Sequence, residues 1–110
     1  FGPRSVDVTT MQAVSGTGYP GTPSLDIISN VIPYIPGEEE KMIGETRKIF
    51  GFGEKQAFSI AATCTRVPVI NGHLESVTVT FESRVTESEV VESFRSFRNH
   101  EVAWSPANAS

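Results

Sequence analysis

The chain has 110 residues, 38% of them hydrophobic, which fits a single domain with a modest core and excludes a second one. Nine basic against thirteen acidic side chains give a net charge of -4 with no Lys/Arg run, which points away from nucleic acid and anionic membranes and toward small molecules or other subunits. A single cysteine, Cys64, excludes an internal disulfide, and no Cys/His pairs fall at ligand spacing, so no metal site and a reducing, cytoplasmic setting are expected.

Apolar runs are only a few residues long, so no membrane span is expected, and the start has no basic region followed by an apolar one as a signal peptide would. The chain opens at Phe1 without methionine and soon turns strand-like, which suits an excised piece of a larger protein or a processed chain. Residues 5 to 14 carry Val6, Val8 and β-branched threonines and are expected as a strand. Gly16, Gly18, Pro20 and Gly21 then form a loop. Thr22-Pro23 predicts a helix start, with the helix running to about Val31 or Ile32 and presenting Leu25, Ile28 and Ile32 before Pro33 and Pro36 stop it.

Gly37 and the acidic trio Glu38, Glu39 and Glu40 open a second helix that is expected to end near Phe50 or Gly51, carboxylates being favoured at a helix N-terminus. Gly51 and Gly53 make a break. Residues 57 to 67 alternate as a half-buried strand, with Phe58, Ile60, Ala62 and Cys64 on one side. Asn71-Gly72 is a turn signal, and residues 73 to 83 alternate again with Val77, Val79 and Phe81 on one face, so the two strands are expected as an antiparallel pair. Thr86 and Glu89 form a capping box ahead of a helix with Val90, Val91, Phe94 and Phe97 on one stripe. Beyond His100 the chain reads as irregular. The fold class is therefore α+β, a mixed, largely antiparallel sheet with helices packed on it, and Val77, Val79, Phe81, Phe94 and Phe97 are expected in its core.

Residues 16 to 21 match GxGxxG after a strand and before a helix, yet prolines and another helix follow where a parallel strand should stand, so an ordinary glycine loop is the preferred reading. Cys64 shares the apolar parity of its strand and reads as a small core residue, not a nucleophile. Glu38, Lys41, Glu45 and Lys48 form one charged helical stripe, which by itself reads as a solvated face with a local pair such as Lys41 with Glu45, worth about 0.2–0.5 kcal/mol. Arg66 falls on the apolar side of its strand, where a cation needs an anionic partner, either a structural carboxylate or a substrate carboxylate. His73 is either an exposed turn residue or a general acid/base, the imidazole being the side chain type that titrates near neutrality.

Three blocks together resemble aspartate-semialdehyde dehydrogenases of the archaeal and fungal type: Val8-Thr9-Thr10-Met11-Gln12-Ala13-Val14-Ser15-Gly16; Glu38-Glu39-Glu40-Lys41-Met42 with Glu45-Thr46-Arg47-Lys48-Ile49; and Ala62-Thr63-Cys64-Thr65-Arg66-Val67-Pro68-Val69 closing on Gly72-His73-Leu74-Glu75. The resemblance covers nearly the whole chain and implies residues 1–110 to be a catalytic and dimerisation domain, like the C-terminal domain of enzymes related to glyceraldehyde-3-phosphate dehydrogenase. It implies that Arg66 binds the substrate α-carboxylate, Glu38 its α-amino group and Lys41 phosphate. It further implies that His73 is the acid/base, that Gln12 stands beside the reacting centre, and that Ser15 and Gly16 lie near the nicotinamide of NADP.

The implied reaction converts L-aspartate 4-semialdehyde, phosphate and NADP to L-aspartyl 4-phosphate and NADPH, in the biosynthesis of lysine, threonine and methionine. A homodimer or tetramer is implied. The family's catalytic cysteine and its NADP-binding domain precede the stretch matched here, so the chain alone is expected to be inactive. A related acyl-thioester reductase, such as a malonyl-coenzyme A reductase, is the alternative enzyme; a non-catalytic assembly module is the alternative of another class. An irregular connection after Pro68 is expected to bring Arg66 nearer to His73 than the roughly 13 Å that a tight hairpin would impose.

Overall fold

A computed structural model describes residues 2–52 and 58–98. The expected break at Gly53, the strand start at residue 57 and the irregular tail beyond His100 lie outside the described residues. Three strands form one mixed sheet: β1 (Pro3–Gln12), β2 (Ser59–Arg66) and β3 (His73–Phe81). Their order is β2-β1-β3, with β1 parallel to β2 and antiparallel to β3. The expected pairing of β2 with β3 is therefore corrected, because β1 is inserted between them.

Residues 67 to 72 do not make a hairpin turn but cross the end of β1. Along the way the amides of Ala13, Val14 and Ser15 donate to the carbonyls of Gly72 (3.2 Å), Val69 (2.9 Å) and Ile70 (3.1 Å). The physical reason is that alternation specifies which face a residue takes but not which strand lies beside it. β1 satisfies both neighbours at once, with one irregularity in its pairing to β3 between Pro3 and Ser5.

Alternation sets the faces. Val6, Val8 and Thr10 of β1 stand in register with Ile60, Ala62 and Cys64 of β2 and with Val79, Val77 and Glu75 of β3, so all nine share the face that receives the helices. Val8, Phe58 and Cys64 are buried there. The other face carries Asp7, Thr9 and Met11 beside Thr63, Thr65, Ser76 and Thr78.

Helix α2 (Glu38–Ile49) follows the sequence expectation, with Glu38, Glu39 and Glu40 in its first turn and Arg47 and Lys48 in its last, both favourable to the helix dipole. It ends in a Schellman arrangement around Gly51 at φ 65°, where Gly51 donates to the Lys48 carbonyl and Phe52 to that of Arg47. Phe50 and Phe52 then pack edge-on against Phe58 at 5.9 and 5.1 Å between ring centroids, fastening the helix end to the start of β2. Near its other end Glu39 accepts from the Cys64 amide at 3.3 Å. Two anchors thus fix α2 along the sheet.

The first helix is far shorter than expected. α1 covers only Ser24–Ile27, Pro23 occupies the capping position without a side-chain bond, and Leu25 and Ile28 are exposed while Ile27 is buried. Ser29 turns to φ 53° and the Asn30 side chain takes the Asp26 carbonyl, which ends the helix. Ile32, held extended before Pro33, instead exchanges two 2.9 Å backbone bonds with Arg66 on the outer side of β2.

Helix α3 (Glu87–Ser96) has the expected capping box at Thr86 and Glu89. The Thr86 side-chain and backbone bonds hold the Glu89 carboxyl below the ordinary carboxylate range. The core expectation fails here: Phe94 and Phe97 are 81% and 71% exposed, and Val77 and Val79 are also exposed. Together with Phe81 and Val90 they line an open apolar hollow of about 670 Å³ between α3 and β3, which no described element fills. No described helix is long and apolar enough to cross a membrane.

Candidate active site

Register assembles the site. Gln12, at the end of the central strand, is paired with Arg66 on one side and His73 on the other, so three residues far apart in sequence form one row on the helix-bearing face. The next row back is Cys64, Thr10 and Glu75. Arg66 and His73 are thus separated by two strand spacings, about 10 Å across the sheet, and not by a walk along one strand. The sequence had suggested an irregular connection; the inserted strand is what achieves the approach.

Against this corner stands the first half of α2. Gln12, Glu38, Lys41, Glu45, His73 and Glu75 line one cleft of about 420 Å³, with Met42, Thr46 and Ile49 as its apolar wall. Four of the residues singled out by sequence therefore meet. The charged stripe of α2 is not simply a solvated face, and its ion pair is Lys41 with Glu38 at 3.5 Å, not the expected Lys41 with Glu45. Exposed and long, that pair contributes under about 0.5 kcal/mol and leaves both groups available to a ligand. A cleft holding one ammonium, three carboxylates and an imidazole suits a small polar molecule carrying both signs of charge.

His73 is about half exposed, and its Nε2 lies 3.0 Å from Glu75 Oε1. A carboxylate only accepts, so Nε2 carries the hydrogen of this bond and Nδ1 is the nitrogen left for proton exchange. Glu75 was not among the sequence candidates, although its position two residues after His73 on the same strand face was a usable signal.

Arg66 does not line the cleft directly. It is 7% exposed, and its Nη1 donates to the Ala13 carbonyl at 2.8 Å. A methyl group at Gly16 would come within 3.1 Å of the same nitrogen, so the absence of a side chain at position 16 makes room for the guanidinium. No carboxylate among the described residues pairs with it. A buried guanidinium with one protein partner and five N–H groups retains donors for an outside anion.

Ser15 and Gly16 are exposed in the short 3-10 turn Val14–Thr17 beside this guanidinium. The glycine pattern there opens no phosphate-gripping helix, since only the four-residue α1 follows. Cys64, which has no exposed surface, has the buried position expected of a core residue. No cluster able to hold a metal occurs among the described residues.

The family model for the dimerisation domain of semialdehyde dehydrogenases matches residues 1–108. An aspartate-semialdehyde dehydrogenase of Aspergillus fumigatus is 46% identical over 110 residues, covering 90% of this chain and 30% of that protein. One of Archaeoglobus fulgidus is 46% identical over 111 residues, covering 96% and 32%. Among solved structures, aspartate semialdehyde dehydrogenase with NADP from Candida albicans superposes with a TM-score of 0.70 at 34% identity, over 86% of this chain and 29% of that one. Aspartate semialdehyde dehydrogenase II from Vibrio cholerae gives 0.71 at 28% identity, over 97% and 41%. The chain spans about 30% of the length of these curated relatives. A match that runs almost end to end, on a fold shared with those enzymes, places the chain in the family of semialdehyde dehydrogenase dimerisation domains.

Proposed function

We propose that the chain is the substrate-binding and dimerisation part of an NADP-dependent aspartate-semialdehyde dehydrogenase acting in the cytoplasm. The observation that carries this reading is the meeting of Gln12, Glu38, Lys41 and His73 on one cleft, with Arg66 in the same register row. A zwitterionic amino-acid aldehyde needs an anion and a cation to fix it. Glu38 takes the α-ammonium and Arg66 the α-carboxylate, the latter through two parallel hydrogen bonds. Lys41 neutralises phosphate. His73, held by Glu75, exchanges the proton at the reacting carbonyl oxygen, and Gln12 stands beside that atom.

NADP supplies the hydride acceptor when bound, and from this chain Ser15 and Gly16 border its nicotinamide end. The glycine loop opens only a four-residue helix and so makes no βαβ phosphate turn, and the rest of the dinucleotide is assigned to another part of the enzyme. The nucleophile is likewise assigned to another part of the enzyme, since Cys64 is buried in the sheet. Two copies associate through this domain, which bears more exposed apolar surface than a free monomer carries comfortably; a tetramer would pair two such dimers.

Two measurements test the reading. The chain alone should sediment as a dimer and give no NADP reduction with aspartate semialdehyde and phosphate. The full-length enzyme should give phosphate-dependent reduction, with Arg66→Lys raising KM for the semialdehyde at least about tenfold, because an ammonium does not reproduce the bidentate grip. An unchanged KM would remove the role given to Arg66, and turnover by the isolated chain that is abolished by Cys64→Ser would overturn the whole assignment.

A further inference from the structure

Thr10 presents a hydroxyl where packing alone would accept a hydrocarbon. It sits on the central strand with no exposed surface, two residues beyond the buried Val8 on the same face, and between Cys64 and Glu75 in the neighbouring strands. Valine has nearly the same shape as threonine, and a hydroxyl in a dry interior is unfavourable unless bonded. Here it is bonded: Gln12 Nε2 donates to Thr10 Oγ1 at 3.1 Å. The backbone at this point is fixed as well, since Thr65 Oγ1 donates to the Thr10 carbonyl at 2.6 Å across the β1–β2 pair. Branching at Cβ restricts χ1, so the acceptor is stiff.

We infer that Thr10 is a positioning residue for Gln12: it takes the nitrogen side of the carboxamide and so turns Oε1, as an acceptor, toward the cleft. Gln12 Oε1 has no protein partner among the described residues. A carboxamide without this anchor would present oxygen and nitrogen interchangeably, whereas the anchored one offers an acceptor to a donor on the bound molecule, an ammonium or the hydroxyl formed at the reacting carbon. The inference rests on the function proposed above, in that the cleft is taken as the reacting site.

The test has two arms. In the isolated chain, the Gln12 side-chain amide resonances in a ¹H–¹⁵N spectrum should move on Thr10→Val and return toward their original positions with Thr10→Ser. In the full-length enzyme, Thr10→Val should lower kcat about tenfold with KM within about twofold, and Thr10→Ser should recover most of it. Gln12→Ala should then cost little more in the Thr10→Val background than Thr10→Val alone, the two acting as one unit. An impaired Gln12→Ala beside a fully active Thr10→Val would overturn the positioning role alone. Full activity of Gln12→Ala would overturn the place given to Gln12 in the reaction, and this role with it.

Discussion

Replacing Arg66 by methionine separates a structural guanidinium from one kept for a ligand. Its burial and its single described bond, to the Ala13 carbonyl at 2.8 Å, set the balance. Losing a charge-assisted hydrogen bond costs about 1.5–3 kcal/mol. Removing a desolvated cation that has no carboxylate beside it returns several kcal/mol, and methionine refills most of the volume. Arg66→Met should therefore leave the stability of the unliganded chain within about 1 kcal/mol, in contrast to the roughly 3–5 kcal/mol lost when one partner of a true buried ion pair is deleted.

The ligand arm gives the second half. L-Aspartate at ten times its dissociation constant stabilises the native chain by RT ln 11, about 1.4 kcal/mol. For a domain of this size that raises the melting temperature by about 6 °C. Arg66→Met should show no such rise in a calorimetric or dye-monitored melt. Gly16→Ala is the finer probe, because its new methyl at 3.1 Å from Nη1 must push the guanidinium aside by a few tenths of an ångström while leaving its charge in place. It should shrink the aspartate-dependent shift without changing the unliganded melt by more than about 1 kcal/mol. Arg66→Met melting with a 3–5 kcal/mol deficit, and no aspartate effect in the unaltered chain, would refute the reasoning and make the guanidinium a strut for the 13–16 turn.

Cys64, with no exposed surface, should resist a thiol reagent in the native chain and react fully only in denaturant; Cys64→Ser should destabilise the chain by about 1–3 kcal/mol through a hydroxyl placed in the buried interior opposite Thr10, without affecting turnover of the full-length enzyme. Glu89 has a folded pKa below its unfolded value, so its contribution to α3 is fully present above the unfolded value and is lost as the pH falls through the folded one. Helical circular dichroism should drop across that acidic window, and Glu89→Gln should flatten the drop; an identical acid transition in the variant would show that the capping box does not set it.

Much of the fold was legible because local physics decides it. The acidic first turn and glycine stop of α2, the Thr86–Glu89 box and the two-residue period of each strand all act within a few residues. Parity placed Cys64 and Arg66 correctly on the inner face for the same reason. Strand neighbours were not legible, because the hydrogen-bonding edges of β1, β2 and β3 are chemically alike and Asn71-Gly72 signals a turn without saying what the turn encloses. Helix α1 was over-read for a related reason: the side chain of Asn30 and the left-handed Ser29 compete with helix in a way that apolar spacing does not register. Val77, Val79, Phe94 and Phe97 were correctly read as apolar faces and wrongly as core, since a pattern shows which side seeks cover and not whether the cover lies within the same stretch of chain.

The roles that escaped the sequence are those of Thr10, Glu39 and Glu75. Thr10 and Glu75 bond to side chains two residues away on the same strand face, Gln12 and His73, whereas the Cys64 amide reaches Glu39 only because α2 docks on β2. Register is what then brings the two local pairs together at one corner of the sheet. A slip of β3 by one residue against β1 would turn His73 and Glu75 to the threonine-bearing face, bring Leu74 to the cleft and take Val77 and Val79 away from Val8 and Val6. The apolar half of β3 and its polar half thus take their places through one alignment, and the pairing of the sheet and the chemistry of the cleft depend on it together.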